Sequence, residues 1–199
     1  MINFAPDSGK TMKIYISTDI DNFDLDAALR DISSQRREQA LRFKYERGRR
    51  TCVLAYQLLK QALSEEYGNS ENPLFSYGEH GKPLLVGHPE IHFNLSHCRE
   101  AVACAVSDRP IGIDVESIRE MRDGLVHYTM NDEEQRLIAA AERPEAAFIR
   151  LWTMKEARLK LTGRGITDNM KTVIDDSVRF TTVECLEHNY IYTICENKE

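Results

Sequence analysis

The hexapeptide IGIDVE, Ile111–Glu116, combines aliphatic residues with two carboxylates at alternate positions. Successive side chains along a strand point to opposite faces, so the aliphatic residues share one face, and Asp114 and Glu116 share the other. Two neighbouring anions repel each other unless water or a cation lies between them. The stretch therefore predicts a strand whose acidic face is either a solvated sheet surface or half of a metal site.

Apolar runs separated by turn residues predict further strands on both sides of this stretch. Upstream, Ile91–Leu95 and Ala101–Val106 flank the turn SHCRE and predict a hairpin. The same reasoning predicts strands at Met12–Ser17, Leu74–Tyr77, Lys82–Val86, Val178–Cys185 and Tyr190–Cys195.

Helical periodicity predicts a long helix over Thr51–Tyr67 and another over Pro144–Thr162. Asn131 and Glu134 have capping-box spacing and predict the start of a helix between them. The segment Leu25–Tyr45 is helix-like but heavily charged.

The order of strand, helices and strands occurs twice along the chain. We therefore expect an α+β fold of two similar halves, a pseudo-dimer, in which each half is a small, mainly antiparallel sheet packed with helices. The N-terminal half would span residues 1–109 and the C-terminal half residues 110–199.

The composition narrows the classes of partner. The chain has 199 residues, of which 42% are hydrophobic and 29% charged, as in ordinary globular proteins. Its net charge of −6 argues against nucleic acid or a membrane surface as a partner. The five cysteines are odd in number and lack CxxC spacing, so we expect free thiols and a cytoplasmic location.

The predicted helix Pro144–Thr162 carries charges where core residues are expected. An apolar stripe is formed by Phe148, Leu151, Trp152 and Leu159, and Lys155 and Glu156 continue it. Glu156 and Lys160 are i, i+4 neighbours that project together. This pair is either part of a site or a surface salt bridge, and the helix alone leaves both readings open.

Other polar residues are candidates for binding an anion. Ser96 and His97 end the strand of FNLSH. A nucleophilic Ser–His pair is geometrically poor because adjacent residues of an extended chain point apart, so we expect anion binding or a simple hairpin-loop histidine. Lys82 lies in the turn Gly-Lys-Pro, and Arg50 lies at the start predicted for the first long helix, where the helix dipole also favours phosphate.

Taken together, three carboxylates without cysteine ligands favour magnesium over zinc. Magnesium held by a few carboxylates usually completes its coordination with water and phosphate oxygens. The residues therefore predict a magnesium-dependent enzyme that acts on a polyphosphate ligand.

The series GKP, FNLSH, IGIDVE and LWTMKEARLK resembles the 4′-phosphopantetheinyl transferases, specifically the surfactin-synthetase-activating type. The resemblance covers roughly residues 35–175. It implies a pseudo-dimer of two α+β halves with the site at their junction. It also implies transfer of phosphopantetheine from coenzyme A to a serine of an apo acyl or peptidyl carrier protein, with release of adenosine 3′,5′-bisphosphate.

The resemblance also implies roles for individual residues. Asp114, Glu116 and Glu156 would bind Mg²⁺ and, with Lys160, form the catalytic group. Either Glu156 or a magnesium-bound water would take the proton of the carrier serine. Coenzyme A would contact seven residues: Arg36, Arg50, Lys82, Ser96, His97, Lys155 and Lys160. Gln39 departs from the family, which often has a lysine at this position.

Two other classes stay open beside this one. A different magnesium-dependent phosphotransferase or nucleotide hydrolase would turn over nucleotide without a protein acceptor. A non-catalytic module would bind coenzyme A or a carrier protein only. In each case we expect a monomer, because two halves in one chain can complete a site.

Overall fold

The computed structural model describes residues 12–165 and 169–198. Residues 1–11 and 199, which the predicted halves include, lie outside these ranges, as do residues 166–168. The elements in chain order are β1 Lys13–Ser17, α1 Leu25–Asp31, α2 Ser34–Leu41, α3 Glu46–Tyr67, β2 Phe75–Tyr77, β3 Pro83–Leu85, β4 His92–His97, β5 Val102–Ser107, β6 Ile111–Ser117, α4 Asp123–Thr129, α5 Asp132–Ala140, α6 Pro144–Thr162, β7 Val178–Cys185 and β8 Tyr190–Asn197. Within the described ranges, no helix is both long and apolar enough to cross a membrane.

The described strands form two three-stranded antiparallel sheets and a separate hairpin of β2 and β3. The strand orders are β1-β5-β4 and β6-β8-β7. In both sheets the last strand in sequence is central, with the first strand on one side and the penultimate strand on the other. Helices follow the first strand in each case. The predicted α+β class with small antiparallel sheets is confirmed.

Most predicted elements are present, with three corrections in the helices. Helix α3 begins at Glu46, five residues before the predicted start at Thr51. The charged segment Leu25–Tyr45 contains two short helices, α1 and α2, rather than one. Helix α4 was not predicted, because it is only seven residues long and its N-cap, Arg122, makes no side-chain capping bond. The capping box of Asn131 and Glu134 is confirmed.

The aliphatic face of β6 forms the contact between the two sheets. Ile111, Ile113 and Val115 are buried in one cluster with Ala101, Ala103 and Ala105 from and just before β5. Small side chains on one sheet and β-branched ones on the other let the layers approach closely. The arrangement directs the opposite face of β6, with its carboxylates, toward α6.

Side chains of β4 cover the outer edge of β6. The backbone N–H of Ile113 donates to Asn94 Oδ1 at 2.9 Å, and that of Val115 donates to Ser96 Oγ at 3.1 Å. Strand β6 is an edge strand, and these bonds satisfy donors that lack a neighbouring strand. The FNLSH segment therefore joins the two sheets, and it also forms most of the first strand of the β4–β5 hairpin.

Helix α6 packs directly on the backbone of β6 at Gly112. A Cβ atom added to Gly112 would lie 2.0 Å from the carbonyl oxygen of Ala157 and 2.6 Å from the backbone nitrogen of Leu161. Real Cβ atoms do not approach backbone atoms so closely, so only glycine fits here. The close approach places the charged face of α6 beside Asp114.

We predict that Gly112→Ala lowers the free energy of unfolding by about 1–3 kcal/mol, the usual cost of overpacking, in urea denaturation. Gly124→Ala is the matched control, because Gly124 lies in α4 with no atom within 4 Å of an added Cβ. Alanine favours a helix over glycine, so the control should be neutral or slightly stabilised. Equal stability of the two variants would contradict the close approach of α6.

Candidate active site

Asp114 lies at the centre of a hydrogen-bond network that joins both sheets to α6. Its side chain is 4% exposed. One oxygen, Oδ1, accepts from Ser96 Oγ at 2.9 Å and from Lys160 Nζ at 2.7 Å. The other oxygen, Oδ2, is buried and has no hydrogen-bond partner among the described residues. A buried carboxylate oxygen without a donor is a candidate ligand for a cation.

The Ser96 hydroxyl uses its full hydrogen-bonding capacity inside the protein. It donates to Asp114 and accepts from Lys160 Nζ at 2.8 Å and from the backbone of Val115. A hydroxyl has one proton and two lone pairs. A phosphate contact by Ser96, as the resemblance implies, would therefore require one of these bonds to break.

The two neighbouring glutamates are held in unfavourable surroundings. Burial and the negative charge of Asp114 raise the pKa of Glu116 from 4.5 to about 6, although Arg119, Trp152 and Lys160 oppose this shift. The same two causes raise the pKa of Glu156, with Lys160 opposing. These are the effects of desolvation and like charge on a carboxylate. A bound cation would stabilise the charged form of both glutamates.

The structure decides between two readings of the acidic face and of the Glu156–Lys160 pair. Asp114 is buried and Glu116 is half-buried, so the face is not a solvated sheet surface. Lys160 bonds to Asp114, and Glu156 Oε1 is buried without a hydrogen-bond partner in the described part of the chain. A simple surface salt bridge between Glu156 and Lys160 does not describe this arrangement.

A cavity of about 240 Å³ lies between the turn of the β2–β3 hairpin, β4 and the end of α6. Among its lining residues are Lys82, Asn94, Glu156, Lys160, Gly163 and Gly165. Lys82 Nζ donates to the carbonyl of Leu161 at 2.9 Å and so caps the last turn of α6. Burial lowers the pKa of Lys82. Lys82, which the resemblance assigns to coenzyme A, therefore borders the cavity. It also links the β2–β3 hairpin to α6.

Arg36, His97 and Gln39 come from the N-terminal part of the chain, and His97 is close enough to Arg36 and Lys160 for their charges to affect its pKa. Arg36 is 9% exposed and donates to the carbonyl of Cys52, while its Nη1 donates to Gln39 at 2.9 Å. His97 is exposed at the end of β4, and desolvation followed by the charges of Lys160 and Arg36 lowers its pKa. Gln39, at the position where the family often has lysine, thus orients Arg36.

Of the seven predicted substrate contacts, Lys82 and Lys160 line the cavity, whereas Arg36, Arg50, Ser96, His97 and Lys155 do not. Lys155 is fully buried and pairs with Glu134. Arg50 lies in the second turn of α3 rather than at its N-terminus, so the reason based on the helix dipole is wrong. Its guanidinium bonds to Glu46 at 2.8 Å and to the carbonyl of Phe23 at 2.9 Å.

Sequence reasoning missed three residues that shape the site. Gly112 had a readable signal, because glycine inside a strand often marks a close backbone approach. Asn94, in the FNLSH segment, caps the edge of β6, and only the tertiary structure reveals that contact. Trp152 was read as a core residue, but its indole lies near enough to Glu116 to lower that carboxyl's pKa.

The chain is similar to known proteins of one family. Residues 110–197 match the profile of the 4′-phosphopantetheinyl transferase superfamily. The chain is 39% identical over 139 residues to 4′-phosphopantetheinyl transferase psf-1 of Bacillus pumilus, a match that covers 68% of this chain and 60% of that relative. It is 28% identical over 186 residues to 4′-phosphopantetheinyl transferase ffp of Bacillus subtilis, covering 90% and 83%. It is 29% identical over 161 residues to 4′-phosphopantetheinyl transferase Sfp of Bacillus subtilis (strain 168), covering 79% and 72%.

The chain belongs to the 4′-phosphopantetheinyl transferase superfamily. The family named from the four sequence motifs is confirmed. The superfamily profile spans β6 to β8, and so includes the strand of Asp114 and the helix of Glu156.

We predict that Asp114→Asn and Glu116→Gln, which both remove one negative charge, change stability in opposite directions. Asp114→Asn weakens the bond to Lys160 and should lower the free energy of unfolding by about 1–3 kcal/mol at pH 7. Glu116→Gln removes a repelled charge and should raise it by up to about 1 kcal/mol, after allowance for solvent screening. Urea denaturation in EDTA measures both.

The effect of Glu116 should also depend on pH. A carboxyl whose pKa is raised on folding stabilises the protein fully below its unfolded pKa, and this stabilisation is lost as the pH rises through the folded pKa. The loss in the wild type therefore falls between pH 4.5 and about 6. Glu116→Gln should lack this component. A stability difference between the two proteins that does not change across this window would contradict the strained environment.

Proposed function

We propose that this chain transfers the 4′-phosphopantetheine arm of coenzyme A to a serine of an apo carrier protein, with Mg²⁺ as cofactor. The serine oxygen attacks the β-phosphorus, the bond to the bridging oxygen breaks, and adenosine 3′,5′-bisphosphate leaves. The relatives' names support this class of enzyme. The match with psf-1 spans 60% of that relative's length, so the activity, substrate and partner of the whole protein are part of the proposal.

The placement of Glu116 and Glu156 near Asp114 is the observation that supports the proposal most. The first two lie on β6, and Glu156 lies on α6, which packs on that strand at Gly112. The negative charge of Asp114 contributes to the raised pKa of each glutamate. Such a group of strained acids beside a cavity is typical of an active site.

The donor atoms of this group fit Mg²⁺, which prefers hard oxygen ligands. Asp114 Oδ2 and Glu156 Oε1 are both buried without a hydrogen-bond donor in the described ranges. As the side chains of the described residues stand, no group of three or more acidic, histidine or cysteine side chains could hold a metal ion, so the three carboxylates would have to move closer together around it. We propose that Asp114, Glu116 and Glu156 would hold the ion, whose role is to neutralise charge that develops on the pyrophosphate.

The remaining roles follow from the charges around the cavity. Lys160 is partly exposed, at 28%, and Asp114 orients it, so its ammonium can face the pyrophosphate. Glu156 lines the cavity, so we propose that its carboxylate, rather than a magnesium-bound water, takes the proton of the carrier serine. Lys82 borders the cavity, and we propose that it contacts a phosphate of coenzyme A.

Three predicted contacts keep their place in the proposal only with a rearrangement. Ser96 and Arg50 would have to exchange internal partners for a phosphate. Arg36 is bonded to the carbonyl of Cys52 and to Gln39, so it would also have to release one of these partners. His97 is exposed and can meet the phosphates directly.

The proposal includes a pseudo-dimeric organisation with halves at residues 1–109 and 110–199. The matching connectivity of the two sheets supports it, as does the long helix that each half contributes. The N-terminal half would contribute phosphate contacts, and the C-terminal half the metal ligands. A monomer would then contain a whole site.

Further partners and the location stay predictions. The partners would be coenzyme A and an apo acyl or peptidyl carrier protein, without nucleic acid or membrane. All five cysteines are free thiols, which supports the predicted cytoplasmic location.

We predict that an apo carrier protein incubated with this chain, coenzyme A and Mg²⁺ gains the mass of one phosphopantetheine arm, measured by intact-protein mass spectrometry. The same carrier with its acceptor serine changed to alanine is the control. Nucleotide release without a gain in mass would favour another phosphotransferase or a hydrolase. Neither product would favour a binding module.

We predict that Glu156→Gln lowers turnover by at least about a hundredfold, the usual size of a lost acid–base contribution. If Glu156 takes the serine proton, excess Mg²⁺ does not restore the rate, and the variant's pH–rate profile lacks one ionisation. If it is only a metal ligand, excess Mg²⁺ restores part of the rate. Near-normal turnover at ordinary Mg²⁺ concentration would contradict both roles.

A further inference from the structure

Lys155 is a buried charged residue of α6, the helix that carries Glu156, and its side chain does not line the cavity. Its side chain is 0% exposed, although it directly precedes Glu156 in the sequence. Lysine is almost never fully buried unless it is paired. The residue must therefore have a role inside the protein that compensates for the loss of hydration.

The ammonium of Lys155 has partners from two other segments. It lies 2.7 Å from Glu134 Oε1 of α5 and donates to the carbonyl of Met170, also at 2.7 Å. The second oxygen of Glu134 accepts from the backbone of Asn131 at 2.8 Å, which completes the capping box of α5. Asn131 in turn donates to the carbonyl of Lys171 at 3.4 Å.

Apolar contacts strengthen the same junction. Leu159, Met170 and Val173 form a buried cluster, and Trp152 packs against it. Lys155 is thus flanked along α6 by two residues that contact the segment after Asn169. The hydrogen bonds and the cluster together fix how α6 is rotated about its own axis.

That rotation decides where the catalytic face points. Successive residues of an α-helix lie about 100° apart around the axis, so a helix that turns Lys155 toward Glu134 turns Glu156 to a different side. Glu156 and Lys160 lie one turn apart on that side, toward Asp114. A small rotation would move both groups relative to the cavity.

We propose that Lys155 is a positioning residue that does not touch coenzyme A. Its bonds to Glu134 and to the Met170 carbonyl hold α6 in the rotation that presents Glu156 and Lys160 to the substrate. The bond to Met170 also fixes the chain five residues after Gly165, a residue that borders the cavity. Lys155 acts on the reaction mainly through Glu156, because the long side chain of Lys160 can follow a small rotation and keep its bonds to Asp114 and Ser96. The loss of Lys155 therefore affects turnover more than binding. The proposal rests on the proposed function for its kinetic test only.

Three variants test this role. Lys155→Met removes the ammonium and leaves Glu134 unpaired. Lys155→Met combined with Glu134→Gln removes both charges and keeps an oxygen that can accept from Asn131, so the capping box can persist. Lys160→Met is the comparison, because Lys160 faces the cavity.

The measurements are the Kd for coenzyme A with Mg²⁺ by isothermal titration calorimetry, and kcat with the carrier protein. For Lys155→Met we expect a Kd within about threefold of wild type and kcat lowered by about tenfold to a hundredfold, as a displacement of catalytic groups by about 1 Å produces. The double variant should keep a lowered kcat, because it balances the charge without restoring the two bonds that hold α6. Lys160→Met should weaken the Kd by about tenfold or more.

Two outcomes would overturn the proposal. A Kd weakened by about tenfold or more in both Lys155→Met and the double variant would make Lys155 a substrate contact. An unchanged kcat in Lys155→Met would remove any positioning role. If Lys155→Met does not fold, the double variant decides alone: wild-type affinity with a reduced kcat supports the proposal, and lost affinity contradicts it.

A separate readout keeps this test independent of the proposed function. Trp152 is the one tryptophan of the chain and packs against the cluster that Lys155 supports. If the wild type neither binds coenzyme A nor modifies a carrier, the proposed function fails, but the tether can still be measured. Lys155→Met should then shift the Trp152 emission to longer wavelength, and the double variant should keep a shift in the same direction. Identical emission spectra for all three proteins would contradict the tether.

Discussion

The hydrogen bonds to Asp114 are the interaction on which the rest of the site depends. A carboxylate that is 4% exposed is costly to bury unless charged or polar partners surround it. Ser96 of β4 and Lys160 of α6 supply them, and both donate to Oδ1. The same serine hydroxyl also accepts from the edge of β6, so the two sheets and the helix meet at one group. Loss of this group would separate the cation of α6 from the strand that carries its partner.

A second consequence is that the network leaves negative charge uncompensated beside the cavity. Lys160 neutralises Asp114 from one side only, and Asp114 Oδ2 and Glu156 Oε1 have no donors in the described residues. Burial and mutual repulsion keep the pKa values of Glu116 and Glu156 raised. Such a site is destabilising in isolation, and a divalent cation with a polyphosphate would relieve the repulsion. The stability of the empty protein is thus lowered by Glu116 and Glu156, two of the groups that we propose bind its ligands.

Local sequence patterns predicted the strands, the capping box and the α+β class, because alternation and capping depend on neighbouring residues. Asp114 and Glu116 could be placed on one face for the same reason. The environment of Lys155 could not be predicted, since its partner Glu134 lies 21 residues away and only the packing of α5 on α6 brings them together. The early start of α3 was missed because its first turns are polar and carry no apolar periodicity. Gly112 was overlooked although a glycine within a strand is a readable sign of close packing.

The central claim is that the carboxylates of β6 and α6 form, with Lys160, one site for a divalent cation and a pyrophosphate. A crystal structure with coenzyme A and Mn²⁺ in place of Mg²⁺ tests it most directly, because manganese is located by its anomalous scattering. The account predicts one anomalous peak bounded by Asp114, Glu116 and Glu156, with the pyrophosphate between this peak and Lys160. A pyrophosphate bound elsewhere, with no anomalous peak at these three carboxylates, would contradict it.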